Sequence, residues 1–325
     1  MGGEYFQPYE IVYHDDAVVT SDDVVPFFLH NNSCTLQSIP LKPVHDDTTI
    51  VAIDVSSIKI GETETGILCA VRGAIVWKEG SQYRYLRLGP FPFHVTEENK
   101  REIYNLLRRY YFDASKEVNA PSLIHMQARI GNLLERWIQM GICSSSQGSI
   151  ILWDGSLTAG TVDSPVNVVS QLLEMARGRL NTILAFSKMT RLRLLGHRLT
   201  DLLWKCQPPC LLEIDGFSIP SGPVRFLGNI YVARLSEGSC SFRLDIDRRV
   251  PKEQGMEAMQ RLLGNDLITQ SYPETLRLAH IYSTFTANEV IGIQRFIAQQ
   301  CGLKIVTRPN VRRLLFGPFG KGPEG

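Results

Sequence analysis

The sequence lacks several features that would place it in a well-defined class at once. No apolar run approaches the length of a membrane span, and the N-terminus lacks the basic-then-apolar layout of a signal peptide, so we expect a cytoplasmic protein with no membrane partner. The seven cysteines are scattered and odd in number, which argues against a disulfide framework and favours reduced thiols. Neither sign of charge dominates, since the formal net charge is +1, and any polyanion would have to be held by local basic clusters.

Common catalytic motifs are absent as well. The chain has no Walker A loop, no Gly-x-Gly-x-x-Gly, no His-Glu-x-x-His and no Gly-x-Ser-x-Gly. P-loop kinases, dinucleotide enzymes, zincins and α/β-hydrolases therefore lose their main support. What is present is an ordinary globular composition, 44% hydrophobic and 21% charged over 325 residues, which is enough for a sizeable core.

One stretch places a carboxylate inside a buried strand. Residues 50–57 begin with an apolar, partly β-branched run typical of a strand buried on both faces, and Asp54 interrupts that run. An unpaired carboxylate in a central strand costs several kcal/mol unless a cation compensates it. Asp54 is therefore a candidate metal ligand, although an Asp that caps the following turn is a simpler interpretation.

A second stretch repeats the pattern. Residues 149–153 form another apolar strand, which ends in Asp154, and Gly155 lets the backbone turn sharply beside the carboxylate. Between the two strands, the apolar stripe of Ile130, Leu134 and Ile138 predicts a helix that ends at Gly141 and carries Glu135 on its flank. Two strand-end carboxylates and a helix carboxylate converging from different elements are a typical Mg²⁺ or Mn²⁺ site.

The order of elements predicts an α/β protein with an RNase H-like core, in which a mixed sheet is flanked by helices, plus additional C-terminal strands and helices. Residues 1–48 are predicted to be a polar extension, and residues 49–325 a single domain. The predicted strands are 50–55, 66–77, 83–88, 149–154, 182–186, 211–214, 229–235 and 241–247. The predicted helices are 96–111, 121–140, 164–179, 191–205, 252–264, 273–283 and 288–301.

Further residues are candidates for the same chemistry. Lys188 lies where a cation could face charge on a phosphate, with a helix cap or an ion pair as the alternative. His280 could ligate a metal or move a proton, with a satisfied core histidine as the alternative. For contact with DNA phosphates we select the basic cluster that consists of Arg177, Arg179, Arg191, Arg193 and Arg198.

Several motifs together resemble those of the NurA nucleases, in the order of that family, between about residues 50 and 316. They are the strand ending at Asp54, residues 153–157, 187–190, 230–235 and 242–245, Tyr272-Pro273, and Ala279-His280. Two positions depart from the family pattern: Val55 stands where a glycine is expected, and Ser283 where a small apolar residue is expected.

The resemblance implies a DNA nuclease that depends on Mn²⁺ or Mg²⁺, trims DNA 5′ to 3′ and cuts single strands internally. It also implies a homodimer that acts with a HerA-type hexameric ATPase translocase in preparing DNA ends for recombination repair. Matched by position, Asp54, Glu135, Asp154 and His280 are the metal ligands, and these four together with Lys188 are the catalytic set.

Two other functions stay open at this stage. A catalytically silent NurA-like scaffold would bind no metal, and an actin-like phosphotransferase would need Gly-rich phosphate loops that the second half of the chain does not supply. For the nuclease we expect Asp54→Ala and Asp154→Ala to abolish cutting. Without metal these changes should be neutral or stabilising, because repulsion between the carboxylates is relieved.

Overall fold

The computed structural model describes residues 38–112, 117–161, 164–188, 190, 192–194, 197–203, 206–214, 224–238 and 240–306. Most of the predicted extension and the DNA-contact candidate Arg191 therefore lie outside the described residues. Within the described part, no helix is both long and apolar enough to cross a membrane.

Fifteen strands and six α-helices are found in the described residues. The strands are β1 Ser38–Pro40, β2 Ile50–Glu62, β3 Gly66–Glu79, β4 Gln82–Thr96, β5 Ile150–Asp154, β6 Thr158–Ala159, β7 Thr182–Ser187, β8 Arg193–Leu194, β9 His197–Arg198, β10 Cys210–Ile214, β11 Arg225–Phe226, β12 Gly228–Arg234, β13 Phe242–Asp247, β14 Ile268–Thr269 and β15 Tyr272–Pro273. The helices are α1 Lys100–Phe112, α2 Leu123–Ser145, α3 Val166–Gly178, α4 Lys252–Asn265, α5 Glu274–Ser283 and α6 Ala287–Cys301, and a 3₁₀ helix spans Leu199–Leu203.

A nine-stranded mixed sheet forms the body, in the order β1-β10-β12-β13-β7-β5-β2-β3-β4. The central strands β2, β5 and β7 are parallel, and antiparallel strands extend the sheet on both sides. Strand β5 ends at Asp154, whereas β2 continues past Asp54 to Glu62, and the parallel register Ile53↔Trp153 brings Asp54 and Asp154 to neighbouring positions.

Alternate residues of the central strands enter two different cores. On one face, Val51, Ile53 and Trp153 pack in a core that includes α2 and α3. On the other face, Ile50 and Leu152 pack in a core that includes α4 and α5. Because these strands are buried on both faces, their sequences are continuous apolar runs and do not alternate between apolar and polar residues.

The α/β class and most predicted elements are confirmed, with three corrections. Helix α2 continues through Gly141 to Ser145, since Ile142 and Cys143 are buried in the core. Strand β4 runs to Thr96 and α1 begins only at Lys100; the Thr96 hydroxyl accepts from the backbone N–H of Asn99 in the turn between them.

The third correction concerns the helix predicted over 191–205. Within this range the structure has the β8–β9 hairpin and the 3₁₀ helix. Leu192, Leu199 and Leu203 pack in a small core with residues of β10 and β12. Tertiary burial of these leucines therefore overrides the local helical preference.

Candidate metal centre

Asp54 lies in β2 with its side chain almost fully buried, and one of its oxygens accepts two hydrogen bonds. Ser283 Oγ donates to Oδ2, and His280 Nδ1 lies 3.2 Å from the same oxygen. Burial disfavours the charged form of Asp54, but the hydrogen bonds from His280 and Ser283 and the charges of His280 and Lys188 outweigh it, so the pKa of Asp54 is lower than usual. The hydrogen bond to Asp54 in turn raises the pKa of His280.

Asp154 ends β5 and is paired with Lys188, whose Nζ lies 2.6 Å from Oδ2. Burial raises the pKa of Asp154, and the charge of Asp54 raises it further, although Lys188 opposes both effects. The next residue, Gly155, has a φ of 128°, which a side chain would strain. The backbone therefore turns away directly after the carboxylate.

A buried ion pair holds the loop that follows Asp154. Arg243 donates two hydrogen bonds of 2.7 Å to Asp245, and both side chains are completely buried. Asp245 also accepts a 3.0 Å hydrogen bond from the backbone N–H of Leu157, three residues after Asp154. Such a fully paired arrangement supports the position of the Asp154 carboxylate.

Glu135 reaches the site from α2, where Gln139 Nε2 donates to its Oε1 at 2.9 Å. Burial, with the charges of Asp54 and Asp154 in addition, raises the pKa of Glu135 to about 7. Helix α2 lies close against β2 here: Gln127 donates to the backbone oxygen of Ser57 at 2.9 Å.

Three of the four predicted metal ligands lie together. One donor atom each from Asp54, Asp154 and His280 falls within 4.8 Å of the others in the described part of the chain. Glu135 lies outside that limit but is electrostatically coupled to both aspartates. Two clustered carboxylates beside an imidazole, with Asp54 favouring its charged form, fit a divalent cation, which would also neutralise the charges that raise the pKa values of Asp154 and Glu135.

Tyr272 belongs to this site, although the sequence analysis did not select it. The Lys188 Nζ lies 5.2 Å from the centre of its ring. Burial, the charges of Asp154 and Asp54 and the interaction of its hydroxyl with the Asp154 carboxylate raise the pKa of Tyr272. The signal that could have identified it is the motif Tyr272-Pro273, which lies eight residues before His280 and directly precedes α5.

The DNA-contact candidates are dispersed in the structure. Arg177 donates to Asp247 near the amino-terminal end of β7, at the edge opposite Asp154, and Arg179 follows at the exposed end of α3. Arg198 is exposed in β9, and the backbone of Arg193 lies in the paired strand β8. Of the candidates among the described residues, only Arg193 and Arg198 lie in the segment that follows Lys188 at the end of β7.

The fold and this cluster define a mixed α/β protein whose central sheet presents carboxylates and an imidazole suited to a divalent cation. The NurA domain family matches residues 48–283, and the protein belongs to this family. The family expected from the motifs is thereby confirmed.

Two solved structures are similar to this chain. The NurA nuclease from Sulfolobus solfataricus is 20% identical, with 80% of this chain and 87% of that chain covered at a TM-score of 0.54. A NurA structure bound to dAMP and manganese is 9% identical, with 82% and 90% covered at a TM-score of 0.44. The comparison with curated proteins gave no match. The likeness to the Sulfolobus solfataricus protein establishes the fold.

Proposed function

We propose that this protein is a nuclease that hydrolyses DNA with a divalent metal ion, Mn²⁺ or Mg²⁺. The observation that carries the proposal is the convergence of Asp54, Asp154 and His280 within 4.8 Å in a member of the NurA family. Carboxylate oxygens suit Mg²⁺ and Mn²⁺, and an open set of ligands leaves room for phosphate and water.

Each residue has a distinct role in this proposal. Asp54, Asp154 and His280 would hold the metal, which when bound would acidify a water molecule and neutralise charge on the phosphate. Glu135, with its pKa near 7, can accept a proton at the pH of the cell. Lys188 donates to Asp154 in this structure. If a metal ion bound that carboxylate, the ammonium group would be free to contact the charge on the phosphate.

The finer features rest on the family alone. We propose 5′ to 3′ exonuclease and single-strand endonuclease activity on DNA ends in recombination repair, in a cytoplasmic homodimer with a HerA-type hexameric ATPase as partner. Contacts with DNA would be independent of sequence and would include the five arginines selected above. We further propose that residues 49–325 form one nuclease domain with an RNase H-like core, formed by β2, β3, β4, β5 and β7.

The test is cutting of end-labelled single- and double-stranded DNA with Mn²⁺, Mg²⁺ or EDTA. We expect metal-dependent cutting by the wild type and loss of at least about 100-fold in Asp154→Asn, because a ligand and its charge are removed. Asp47→Asn, a change at an exposed carboxylate, is the matched control and should cut normally.

Two outcomes would contradict the proposal. Cutting in EDTA that Asp154→Asn retains would exclude the metal centre as its source. Absence of cutting, together with absence of Mn²⁺ binding in calorimetry, would favour the catalytically silent scaffold.

A further inference from the structure

A pair of serine hydroxyls lies directly behind Asp54. Ser283, the last residue of α5, is completely buried and its Oγ contacts Oδ2 of Asp54. Ser56, two residues beyond Asp54 in β2, places its own Oγ 2.9 Å from that of Ser283. We call this arrangement, Ser56 to Ser283 to Asp54, the hydroxyl chain.

The direction of the hydrogen bonds follows from the inventory of donors. The Ser283 hydroxyl has one hydrogen and two acceptors in reach, Asp54 and the backbone oxygen of His280 at 3.0 Å. A carboxylate is the stronger acceptor, so the hydrogen goes to Asp54. Ser56 then donates to the oxygen of Ser283, since that oxygen still has lone pairs to offer.

This arrangement determines which oxygen of Asp54 is free. His280 and Ser283 both contact Oδ2, and within the described part of the chain no hydrogen bond reaches Oδ1. Two donors from α5 hold Oδ2 and so restrict the rotamer of Asp54. Its other oxygen, Oδ1, is then available to a ligand. Hydrogen bonds to ligating carboxylates are known to orient the ligand and strengthen metal binding.

We propose that Ser283, supported by Ser56, is a positioning residue that orients the Asp54 carboxylate toward a divalent cation. This inference rests on the proposed metal-dependent function and adds residues outside the set of ligands. Helix α5 thus supplies both a candidate ligand, His280, and the group that orients another.

The experiment measures Mn²⁺ affinity by titration calorimetry on the full-length protein without DNA. We expect Ser283→Ala to weaken Mn²⁺ binding by about 10-fold or more, the effect typical of removing a hydrogen bond to a ligand. Thr284→Val is the matched control, because Thr284 Oγ1 makes the same kind of bond to the backbone oxygen of His280, at 2.7 Å, without contacting Asp54. It should bind Mn²⁺ within about twofold of the wild type.

Ser56→Ala and the double variant test the chain itself. Ser56→Ala should weaken binding less than Ser283→Ala, and the double variant should be no weaker than Ser283→Ala, because both changes interrupt one chain. If Ser283→Ala fails to fold, weaker Mn²⁺ binding by folded Ser56→Ala still supports the inference, and unchanged binding opposes it.

The outcomes separate this inference from the proposed function. Wild-type affinity in folded Ser283→Ala overturns the positioning role and leaves the metal-dependent nuclease intact. No Mn²⁺ binding by the wild type overturns both.

Discussion

At the scale of single residues, three carboxylates in one site have different protonation behaviour. Hydrogen bonds from α5 lower the pKa of Asp54, whereas burial raises the pKa of Asp154 and brings that of Glu135 to about 7. Groups whose environments push their pKa values apart can divide the roles of ligand and proton acceptor. Asp54 is therefore ready to bind a cation, and Glu135 is suited to take up a proton.

The pH dependence of stability should report Glu135. Its folded pKa of about 7 lies above its unfolded value of about 4.3, so without metal the wild type should lose stability as pH rises from about 5 through 7. Glu135→Gln cannot ionise and should show a weaker loss. Melting temperatures in EDTA between pH 5 and 8 measure this, with exposed Glu98→Gln as the control that should follow the wild type. Parallel curves for Glu135→Gln and the wild type would contradict the assignment.

Removal of Asp54 and removal of Asp154 should have different effects on the free energy of unfolding. Repulsion alone predicted neutral or stabilising effects for both, but Asp54 accepts bonds from Ser283 and His280 in the structure. We expect Asp54→Ala to lower the unfolding free energy in EDTA by about 1–3 kcal/mol, because the hydrogen bonds that a buried carboxylate accepts from Ser283 and His280 are lost.

Asp154→Ala should be nearly neutral, since its partner Lys188 is 38% exposed and can be hydrated. Urea denaturation of both variants at pH 7 measures the difference. A smaller loss for Asp54→Ala than for Asp154→Ala would show that repulsion outweighs the hydrogen bonds.

At the scale of elements, a buried arginine anchors the two helices that cover Asp54. Arg72 of β3, only 3% exposed, pairs with Glu289 of α6 at 3.0 Å and donates to the backbone oxygen of Thr284 at 3.2 Å. It also lies 4.3 Å from the ring centre of Phe285. These contacts fix the junction between α5 and α6, directly after Ser283.

Removing the charge of Glu289 should loosen this anchor. The hydrogen bond from Arg72 lowers the pKa of Glu289 to about 2, so its contribution is complete above its unfolded pKa and is lost as pH falls from about 4.3 toward 2. We expect Glu289→Gln to cost about 1–3 kcal/mol in urea unfolding at pH 7, with less difference from wild type near pH 3.

The control for this pair is Glu257→Gln, which interrupts an exposed i,i+4 pair with Arg261 and should change stability by less than about 0.5 kcal/mol. Equal losses of unfolding free energy for Glu289→Gln and Glu257→Gln at pH 7 would mean that the burial of Arg72 does not strengthen its ion pair.

At the scale of the whole molecule, the start of the described chain is part of the sheet. Strand β1 pairs with β10, Leu41 is buried in the core below α4, and the Val44 N–H bonds to the backbone oxygen of Gln260 at 2.9 Å. Residues 38–47, which the sequence analysis assigned to an extension, therefore contribute packing to the sheet and its core.

Two truncations should therefore behave differently. A chain that starts at residue 49 should lose at least about 2 kcal/mol of unfolding free energy relative to one that starts at residue 38, because it lacks β1 and the buried Leu41. Thermal and urea unfolding of the two chains distinguish these cases. Equal stability would show that residues 38–48 are dispensable for the fold.

Charge is unevenly divided along the chain. Residues 1–37 contain six of the 33 acidic residues and none of the 34 basic ones, so the remainder carries a formal charge of +7. Removing residues 1–37 should tighten binding of DNA severalfold at about 50 mM salt in EDTA, and the gain should vanish near 0.5 M, because exposed charges are then screened.

A full-length variant with Asn at positions 15, 16, 22 and 23 keeps the length while removing four charges, and should show part of the same gain. Fluorescence anisotropy over a salt series is the measurement. Affinities that match the wild type at every salt concentration would exclude an electrostatic effect of this segment.

The sequence by itself determined the class of fold, the family and most of the candidate site. Asp54 and Asp154 could be found because an acid at the end of an apolar strand is a local pattern, and Glu135 because helical periodicity is local too. The helix predicted over 191–205 was wrong because the burial of Leu192 and Leu199 depends on strands that come later in the chain.

Only the tertiary structure decided how the site is held. Ser283 and His280 reach Asp54 across 229 and 226 residues, and Arg177 is paired with Asp247, 70 residues away, at the opposite edge of the sheet. No local pattern encodes such pairs, because a hydroxyl or guanidinium is equally compatible with solvent until the fold supplies its partner. The residues of the candidate metal centre can thus be predicted from the sequence. The hydrogen bonds and orientation of Asp54 depend on the packing of α5 against the sheet.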